Sequence, residues 1–189
     1  MMEVVYNGEI YTDFYEKPII PIIYCHGLSA NRTFQSSTCK DFASHGYIVF
    51  TMDHRDKSSS YIKDQDGKEN YFNNENQVED LQFRREQILI REKETLELIN
   101  EMFTPDFLQK ALNFPKQVKL NLDKLIAGGH SFGGMTGIAA ARSDDRIKAV
   151  VTLDPWLFAY HKEVLARDFY IKQPLVAANS EFFHQYCGF

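Results

Sequence analysis

The sequence predicts an α/β fold in which a mostly parallel, doubly wound sheet is covered by helices. Short apolar runs that read as strands, and amphipathic segments between them, are the observations that predict it. The runs are continuously apolar rather than alternating, which is typical of parallel strands buried on both faces. Five strands are expected, at Ile19–Tyr24, Tyr47–Met52, Lys124–Gly128, Ala149–Leu153 and Leu175–Ala178.

Helices are expected between these strands, joined by right-handed crossovers. The segment Thr33–His45 should be a helix that ends at Gly46, because glycine is favoured just after a helix. Asn76–Met102 should be a long helix with an apolar stripe among its charges, and Gly134–Arg142 a short one of small residues. The stripe consists of Val78, Leu81, Ile88, Leu89, Leu96 and Ile99.

The segment Asp53–Asn74, between the second strand and the long helix, is polar and rich in Ser, Asn, Asp and Lys. It is predicted to be a surface loop at the rim where α/β sheets place their sites. The sequence contains no internal repeat, linker or domain boundary. Residues 1–189 are therefore expected to form a single domain.

Composition excludes several classes of function. The formal net charge of −5 argues against binding to nucleic acid, which needs clustered Lys and Arg. No apolar stretch approaches the ~20 residues that span a bilayer, and no signal peptide precedes the first strand, so a cytoplasmic protein is expected. Cys25, Cys39 and Cys187 are too scattered for a disulfide framework or a zinc site. Nucleotide-binding glycine motifs are missing, so no cofactor and no metal are expected.

The motif Gly129-His130-Ser131-Phe132-Gly133 follows an apolar strand and precedes a helix of small residues. That is the context of a nucleophile elbow, where a strained turn presents the serine hydroxyl above the sheet. The glycines let strand and helix backbones cross closely. The helix N-terminus under the serine favours a developing oxyanion. Ser131 is therefore predicted to be a catalytic nucleophile.

An oxyanion hole needs two backbone donors. Phe132, directly after the nucleophile, offers one of them. The other should come from the loop after an upstream strand, and His26-Gly27-Leu28 follows such a strand, which makes Leu28 the natural donor. The alternative is that His26 and Gly27 only turn the chain.

These motifs resemble the platelet-activating factor acetylhydrolases of the plasma and type II kind (group VII phospholipase A2), which have the α/β-hydrolase fold. The similarity extends over most of the chain from about residue 18, and its segments occur in family order. They are Ile23–Arg32, Asp41–Val49, Asp53–Asp56, Gly129–Gly134, Leu153–Phe158, and Pro174–Leu175 with Asn179–Phe183.

The resemblance implies a calcium-independent serine esterase that hydrolyses short or oxidised sn-2 acyl esters of phospholipids, at a membrane or lipoprotein surface. Ser131 would form the acyl-enzyme, and Asp154 would orient the catalytic imidazole. Many enzymes of this fold place the acid after the following strand, where Glu181 stands. Pro155 departs from the small residue expected beside Asp154.

The histidine that should follow the last strand is not in this sequence. His184 is the remaining candidate base, since it follows the strand that ends at Ala178. The side chain of His130 should point away from Ser131 at so sharp a turn. His26 and His54 are expected to brace loops by hydrogen bonds.

Asp53 and Asp56 lie in the run Asp-His-Arg-Asp, which could suggest a metal site. The interpretation favoured here is a charge network that holds the loop against Arg55.

Relative to the resembled family, the chain should lack N-terminal strands and the last C-terminal strand, which makes it an incomplete α/β-hydrolase domain. A lost N-terminal segment could have carried a signal for secretion. Two other functions stay open: a catalytically inactive lipid- or partner-binding remnant, and a general carboxylesterase.

Overall fold

The computed structural model describes residues 8–64, 66–72 and 80–187. Its strands are β1 (Ile20–Cys25), β2 (Tyr47–Phe50), β3 (Tyr61–Lys63), β4 (Glu69–Tyr71), β5 (Ile126–His130), β6 (Ala149–Leu153) and β7 (Leu175–Ala178). Its helices are α1 (Ser36–Ser44), α2 (Leu81–Met102), α3 (Phe107–Leu112), α4 (Phe132–Ser143), α5 (His161–Leu165) and α6 (Glu181–Cys187). Single 3-10 turns lie at Thr12–Tyr15, Leu122–Lys124 and Leu157–Tyr160.

The main sheet has five strands in the order β2-β1-β5-β6-β7. Every neighbouring pair in it is parallel. The five predicted strands are these five, so the predicted α/β class with a parallel sheet is confirmed.

Helices cover both faces of the sheet. Cys25 of β1 contacts Thr95 of α2, with 3.9 Å between Sγ and Oγ1. The ring of its neighbour Tyr24 packs against Phe42 of α1, with centroids 6.0 Å apart. Because successive strand residues point to opposite faces, α1 and α2 lie on opposite sides of β1. The doubly wound arrangement follows from this alternation.

The largest apolar cluster lies between the sheet and the helices α2 and α4. Each element contributes side chains that exclude water from the same layer, and this layer fixes α4 directly beneath the motif serine. Its fully buried members include Ile23, Ile99, Leu125, Ile138 and Ile147.

Helix ends differ from the sequence predictions by a few residues. Helix α2 begins at Leu81, because Asp80 has an extended backbone and its carboxylate accepts from the N–H of Phe83 at 3.0 Å. The predicted start at Asn76 lies outside the described residues. Helix α4 begins at Phe132 rather than Gly134. After α1, Gly46 has φ +90° and donates its N–H to a carbonyl of the last turn, as predicted.

The predicted apolar stripe of α2 is only partly correct. Ile88 and Ile99 are fully buried, whereas Leu89 is 53% exposed. The buried face also carries Arg84 and Arg91. Four of the seven buried residues of α2 are therefore polar, so the apolar pattern does not reveal the whole buried face.

The segment Asp53–Asn74 is not only a surface loop. Strands β3 and β4 form an antiparallel hairpin within it. Upstream of the hairpin, polar side chains turn inward and form hydrogen bonds beneath the rim of the sheet, so this part of the prediction is wrong. The buried ones are His54, Asp56, Ser58 and Ser59.

Strand β7 also departs from the prediction that every strand is buried on both faces. Its four residues are all exposed, with Val176 at 67%. Within the described sheet β7 pairs only with β6, at the edge of the strand order. An edge strand has only one neighbouring strand, and less of its surface is packed against the protein. The apolar sequence of β7 therefore does not predict how far it is buried.

Candidate active site

Ser131 occupies the turn between β5 and α4 with a backbone conformation of φ 55° and ψ −121°. Non-glycine residues rarely adopt this conformation, which persists only where the surroundings hold it. The Ser131 N–H donates to the carbonyl of Leu153 at 2.9 Å. Its own carbonyl accepts from the N–H groups of Gly134 at 3.0 Å and Trp156 at 2.9 Å. The strained turn is thus fixed from both β6 and α4.

Glycines allow β1 and α4 to meet under this serine. A Cβ on Gly133 would lie 2.0 Å from the carbonyl oxygen of Cys25, and one on Gly129 would lie 2.3 Å from the same atom. Neither position admits a side chain without moving the backbone. The spacing of glycines in the motif therefore reflects a crossing of two backbones.

The loop after β1 lies beside Ser131. A Cβ built on Gly27 would be 3.3 Å from the Cβ of Ser131. The side chain of the next residue, Leu28, packs against the buried cluster that contains Phe132. Among the described residues, the backbone N–H groups of Leu28 and Phe132 have no hydrogen-bond partner. The structure thus brings together the three residues from which the sequence predicted a nucleophile and an oxyanion hole.

His26 fixes the orientation of this loop. Its Nε2 accepts from the N–H of His54 at 3.2 Å, so the proton lies on Nδ1, which donates to the carbonyl of Gly27 at 2.7 Å. Burial and the neighbouring charge of Arg91 lower the pKa of His26 to about 4. His26 is therefore a neutral bracing residue near neutral pH, as expected.

His54 is also buried and structural. Its Nδ1 donates to the carboxylate of Glu94 at 2.8 Å. Burial, and then the charges of Arg91 and His26, hold its pKa well below the ordinary value. Its Nε2 is buried without a partner among the described residues.

Asp154 begins the segment after β6 with φ 47°. Its N–H donates to the carbonyl of Ala178 at 2.9 Å. Its carboxylate accepts from Ser180, the N–H of which is 2.5 Å from Oδ1 and the hydroxyl of which is 2.9 Å from Oδ2. Asp154 and Ser131 directly follow two paired strand residues, so both stand on the same rim of the sheet.

The other titratable candidates are distributed around this rim. Glu181 begins α6 and accepts from Gln185 one turn later, at 3.1 Å. His184 lies in α6, and its side chain is outside the described part of the structure. His130 is half-buried; burial lowers its pKa, and the nearby charge of Asp154 opposes this. No described residue hydrogen-bonds the hydroxyl of Ser131.

The aspartates of the Asp-His-Arg-Asp run form ion pairs with two arginines. The carboxylate of Asp53 pairs with Arg32. That of Asp56 pairs with the buried Arg91, with 2.7 Å between Nε and Oδ2. The predicted charge network is therefore present, but the predicted partner Arg55 is wrong, because its side chain is exposed and only its N–H is engaged, by Glu94.

No group of three or more His, Cys, Asp or Glu side chains in the described ranges has the arrangement of a metal site. Over the same ranges, no helix has both the length and the apolar character that a membrane span requires.

Aromatic side chains form an apolar wall next to the serine. The ring of Trp156 lies 5.6 Å from that of Phe132 and stacks on Phe158 at 5.2 Å, with an angle of 9° between the planes. Leu28 contacts the same cluster. The wall is joined to the elbow through its backbone, since the N–H of Trp156 donates to the carbonyl of Ser131 at 2.9 Å.

Sequence reasoning missed two residues of this site, Ser180 and Arg91. Ser180 is a small polar residue in a turn, and nothing in its local sequence connects it with Asp154. Arg91 lies at helical spacing from the buried Ile88 and Thr95, which is the one signal that could have placed it inside.

Comparisons with known proteins agree with this geometry. The family model of platelet-activating factor acetylhydrolase, isoform II, matches residues 1–187. Platelet-activating factor acetylhydrolase of Bos taurus is 36% identical over 182 residues, with 86% of this chain and 40% of that protein covered. The protein of the same name from Canis lupus familiaris is 34% identical over 180 residues, again with 86% and 40% covered.

A ferulic acid esterase from Streptomyces cinnamoneus has a similar structure, with a TM-score of 0.64 at 15% identity, and the match covers 86% of this chain and 51% of the esterase. This likeness supports the α/β-hydrolase fold. The chain spans about 40% of the length of the curated relatives it matches. With the family match over nearly all of its residues, the chain belongs to the platelet-activating factor acetylhydrolase, isoform II, family.

Proposed function

We propose that this chain carries the nucleophile, the oxyanion hole and the acid of a serine esterase that acts on platelet-activating factor-like phospholipids. The observation that carries the proposal is the strained elbow of Ser131, with the N–H groups of Leu28 and Phe132, which no described residue pairs, beside it. Membership of the family supplies the substrate class, the short or oxidised sn-2 acyl ester.

In this reaction the Oγ of Ser131 attacks the carbonyl carbon of the sn-2 ester. Its proton passes to an imidazole, and the negative charge on the carbonyl oxygen is stabilised by the N–H groups of Leu28 and Phe132. Collapse of the tetrahedral intermediate releases the lysophospholipid alcohol, which takes the proton. Water then hydrolyses the acyl-enzyme and releases the carboxylic acid.

Asp154 is the acid that the geometry favours over Glu181. It directly follows β6, one strand away from the serine, and Ser180 holds both of its carboxylate oxygens. Glu181 is instead engaged with Gln185 in its own helix. The apolar wall of Trp156 and Phe158 is suited to the acyl chain or to a lipid surface.

The imidazole has one candidate in this sequence, His184. We propose to test it by labelling Ser131 with a neutral fluorophosphonate while free imidazole is added. Free imidazole can replace a base that is missing from an otherwise formed site. The variants are Ser131→Ala, Asp154→Asn and His184→Ala, and Ser143→Ala serves as a matched serine control because its hydroxyl binds Glu92 on another face.

Each outcome has a distinct meaning. Labelling that is lost in His184→Ala and restored by imidazole identifies His184 as the base. If the labelling rate is the same in His184→Ala as in the wild type, and free imidazole raises it, Ser131 is supported as the nucleophile and His184 is not its base. If Ser131 stays unlabelled at every imidazole concentration, while saturable phospholipid binding persists in Ser131→Ala, the chain is a binding remnant and the esterase proposal fails.

The substrate class needs its own measurement. Hydrolysis of phospholipids with sn-2 chains of increasing length, and of water-soluble esters of the same acids, separates the lipid esterase from a general carboxylesterase. The proposal expects acetyl and other short sn-2 chains on a phospholipid to be preferred. Equal rates on the soluble esters would favour the carboxylesterase.

A further inference from the structure

Arg91 of α2 is a fully buried arginine, with 0% of its side chain exposed. A guanidinium is always charged and is costly to bury unless every donor finds a partner. An apolar residue would pack at this position without that cost. The groups that bind the guanidinium therefore indicate the role of Arg91.

One group of partners lies in the loops after β1 and β2. Nη1 of Arg91 donates to the carbonyl of His26 at 2.8 Å. Nε donates to Oδ2 of Asp56 at 2.7 Å, and Nη2 donates to the hydroxyl of Ser58. The guanidinium therefore holds the loop that leads to Leu28.

The other group of partners lies on α4. The guanidinium carbon of Arg91 is 4.6 Å from the ring centroid of Phe132. Nη1 is also 3.3 Å from the hydroxyl of Thr136, which itself donates to the carbonyl of Phe132 at 2.9 Å. One side chain thus contacts the segments that carry both proposed oxyanion-hole donors, the N–H groups of Leu28 and Phe132.

We propose that Arg91 is a positioning residue of the oxyanion hole, which sets the distance between the N–H groups of Leu28 and Phe132. This inference rests on the proposed function, because it presumes an oxyanion formed by attack of Ser131. Arg91 contacts no reacting atom and acts only through these two backbone groups.

The path from Arg91 to Leu28 consists of two rigid peptide units. Arg91 fixes the carbonyl of His26, and the imidazole of His26 fixes the carbonyl of Gly27. The Gly27 carbonyl and the Leu28 N–H belong to one planar peptide, so fixing the first orients the second. The path to Phe132 is shorter, since its ring lies directly against the guanidinium.

Lysine cannot reproduce this arrangement, because its ammonium is a compact charge without the planar set of N–H donors through which the guanidinium binds several groups at once. The test variant is Arg91→Lys. Its matched control is Arg85→Lys on the same helix, where Arg85 binds Glu163 and the carbonyl of Ala159 rather than the loop after β1. The probe is the neutral fluorophosphonate, whose phosphoryl oxygen occupies the place of the oxyanion.

Two measurements are made on each variant. The first is the rate of phosphonylation of Ser131 against probe concentration, at fixed imidazole. The second is amide hydrogen exchange at three positions: Ser29 reports the loop after β1, Gly134 reports the first turn of α4, and Val150 of β6 reports the whole fold.

We expect Arg91→Lys to lower the limiting rate about tenfold or more, less than the ~10²–10³ lost with a complete donor. The probe concentration at half-saturation should change little, since the described contacts of Arg91 do not include Trp156 or Phe158. Exchange at Ser29 and Gly134 should accelerate while Val150 stays protected. Arg85→Lys should stay within about twofold of wild type.

Two outcomes overturn the inference. One is a folded Arg91→Lys variant with the wild-type limiting rate. The other is equal loss of protection at Val150, Ser29 and Gly134, which would make Arg91 a support of the whole fold.

Ser58→Ala provides a second, milder variant in case Arg91→Lys does not fold. It removes one partner of the guanidinium and keeps the ion pair with Asp56, so a smaller fall in the limiting rate is expected. An unchanged rate and unchanged exchange at Ser29 would also contradict the inference. If wild-type Ser131 is never labelled, the proposed function fails. The exchange data at Ser29 and Gly134 then decide by themselves whether Arg91 holds the loop after β1 and the start of α4.

Discussion

Ser180 binds both carboxylate oxygens of Asp154, through its N–H at 2.5 Å and its hydroxyl at 2.9 Å. The two residues follow neighbouring strands, since Leu153 pairs with Ala178 in the parallel register. The Ser180 hydroxyl also accepts from the N–H of Phe183 at 3.2 Å, in the first turn of α6. One serine thus orients the carboxylate and caps a helix.

Ser180→Ala should therefore lower the free energy of unfolding by about 1–2 kcal/mol, because it removes a helix cap and a hydrogen bond to a charged group. Urea denaturation measures the change. Ser44→Ala is the control, since its exposed hydroxyl binds a carbonyl of its own helix and lies near Nδ1 of the neighbouring exposed His45, and it should change the stability by less than about 0.5 kcal/mol. Equal effects of the two substitutions would contradict the dual role.

The strain at Ser131 gives a second prediction. Its φ of 55° and ψ of −121° suit glycine better than serine. Such strain costs about 1–3 kcal/mol, and the added freedom of a glycine in the unfolded chain costs about 0.4–1 kcal/mol. Ser131→Gly should thus be more stable than Ser131→Ala by about 1 kcal/mol. Thermal and urea unfolding of the two variants measure this, and both should be unreactive with a fluorophosphonate. A less stable glycine variant would exclude strain at the elbow.

The positions of the five main-sheet strands and of the elbow could be predicted because local sequence marks each of them. Apolar runs mark the strands, and the glycines around Ser131 mark a backbone crossing that the structure places against Cys25. Asp154 was predicted to be the acid by resemblance, and its position after β6 is consistent with that prediction. Its partner Ser180 could not be found, since only the parallel register joins two residues 26 positions apart.

The long helix illustrates the limit of apolar periodicity. Its buried positions recur at helical spacing, but several of them are polar, so a stripe drawn from apolar residues wrongly includes the exposed Leu89. Arginine is rarely buried, and its pairing with Asp56 depends on a loop from another part of the chain. The same pairing explains why Asp53–Asn74 could not be recognised as partly buried.

A third prediction concerns the crossing of β1 and α4. A Cβ on Gly133 would lie 2.0 Å from the backbone oxygen of Cys25, whereas one on Gly134 would lie 3.0 Å from its nearest atom, in Pro155. Gly133→Ala should therefore cost at least about 3 kcal/mol of stability, near the upper range for overpacking. Gly134→Ala should cost clearly less. The comparison is made by urea denaturation, and equal costs would mean that the elbow adapts more freely than its contacts suggest.

The buried histidines make stability depend on pH. Folding lowers the pKa of His26 from 6.5 to about 4, by burial first and then by the charge of Arg91. Between those values the unfolded chain binds more protons than the folded one, so stability is complete above about pH 6.5 and falls as the pH drops towards 4. His54 acts in the same direction. The raised pKa of Glu94, caused mainly by burial, acts in the opposite direction at the acidic end of the window.

The contribution of His26 corresponds to about 3 kcal/mol across this window. Urea unfolding at a series of pH values should show a loss of stability on acidification that is reduced in His26→Asn, because asparagine keeps a donor and an acceptor but does not titrate. The variant should be less stable than wild type near neutral pH and approach it at low pH. A variant whose stability falls with acid as steeply as that of the wild type would show that His26 is not held neutral by its burial.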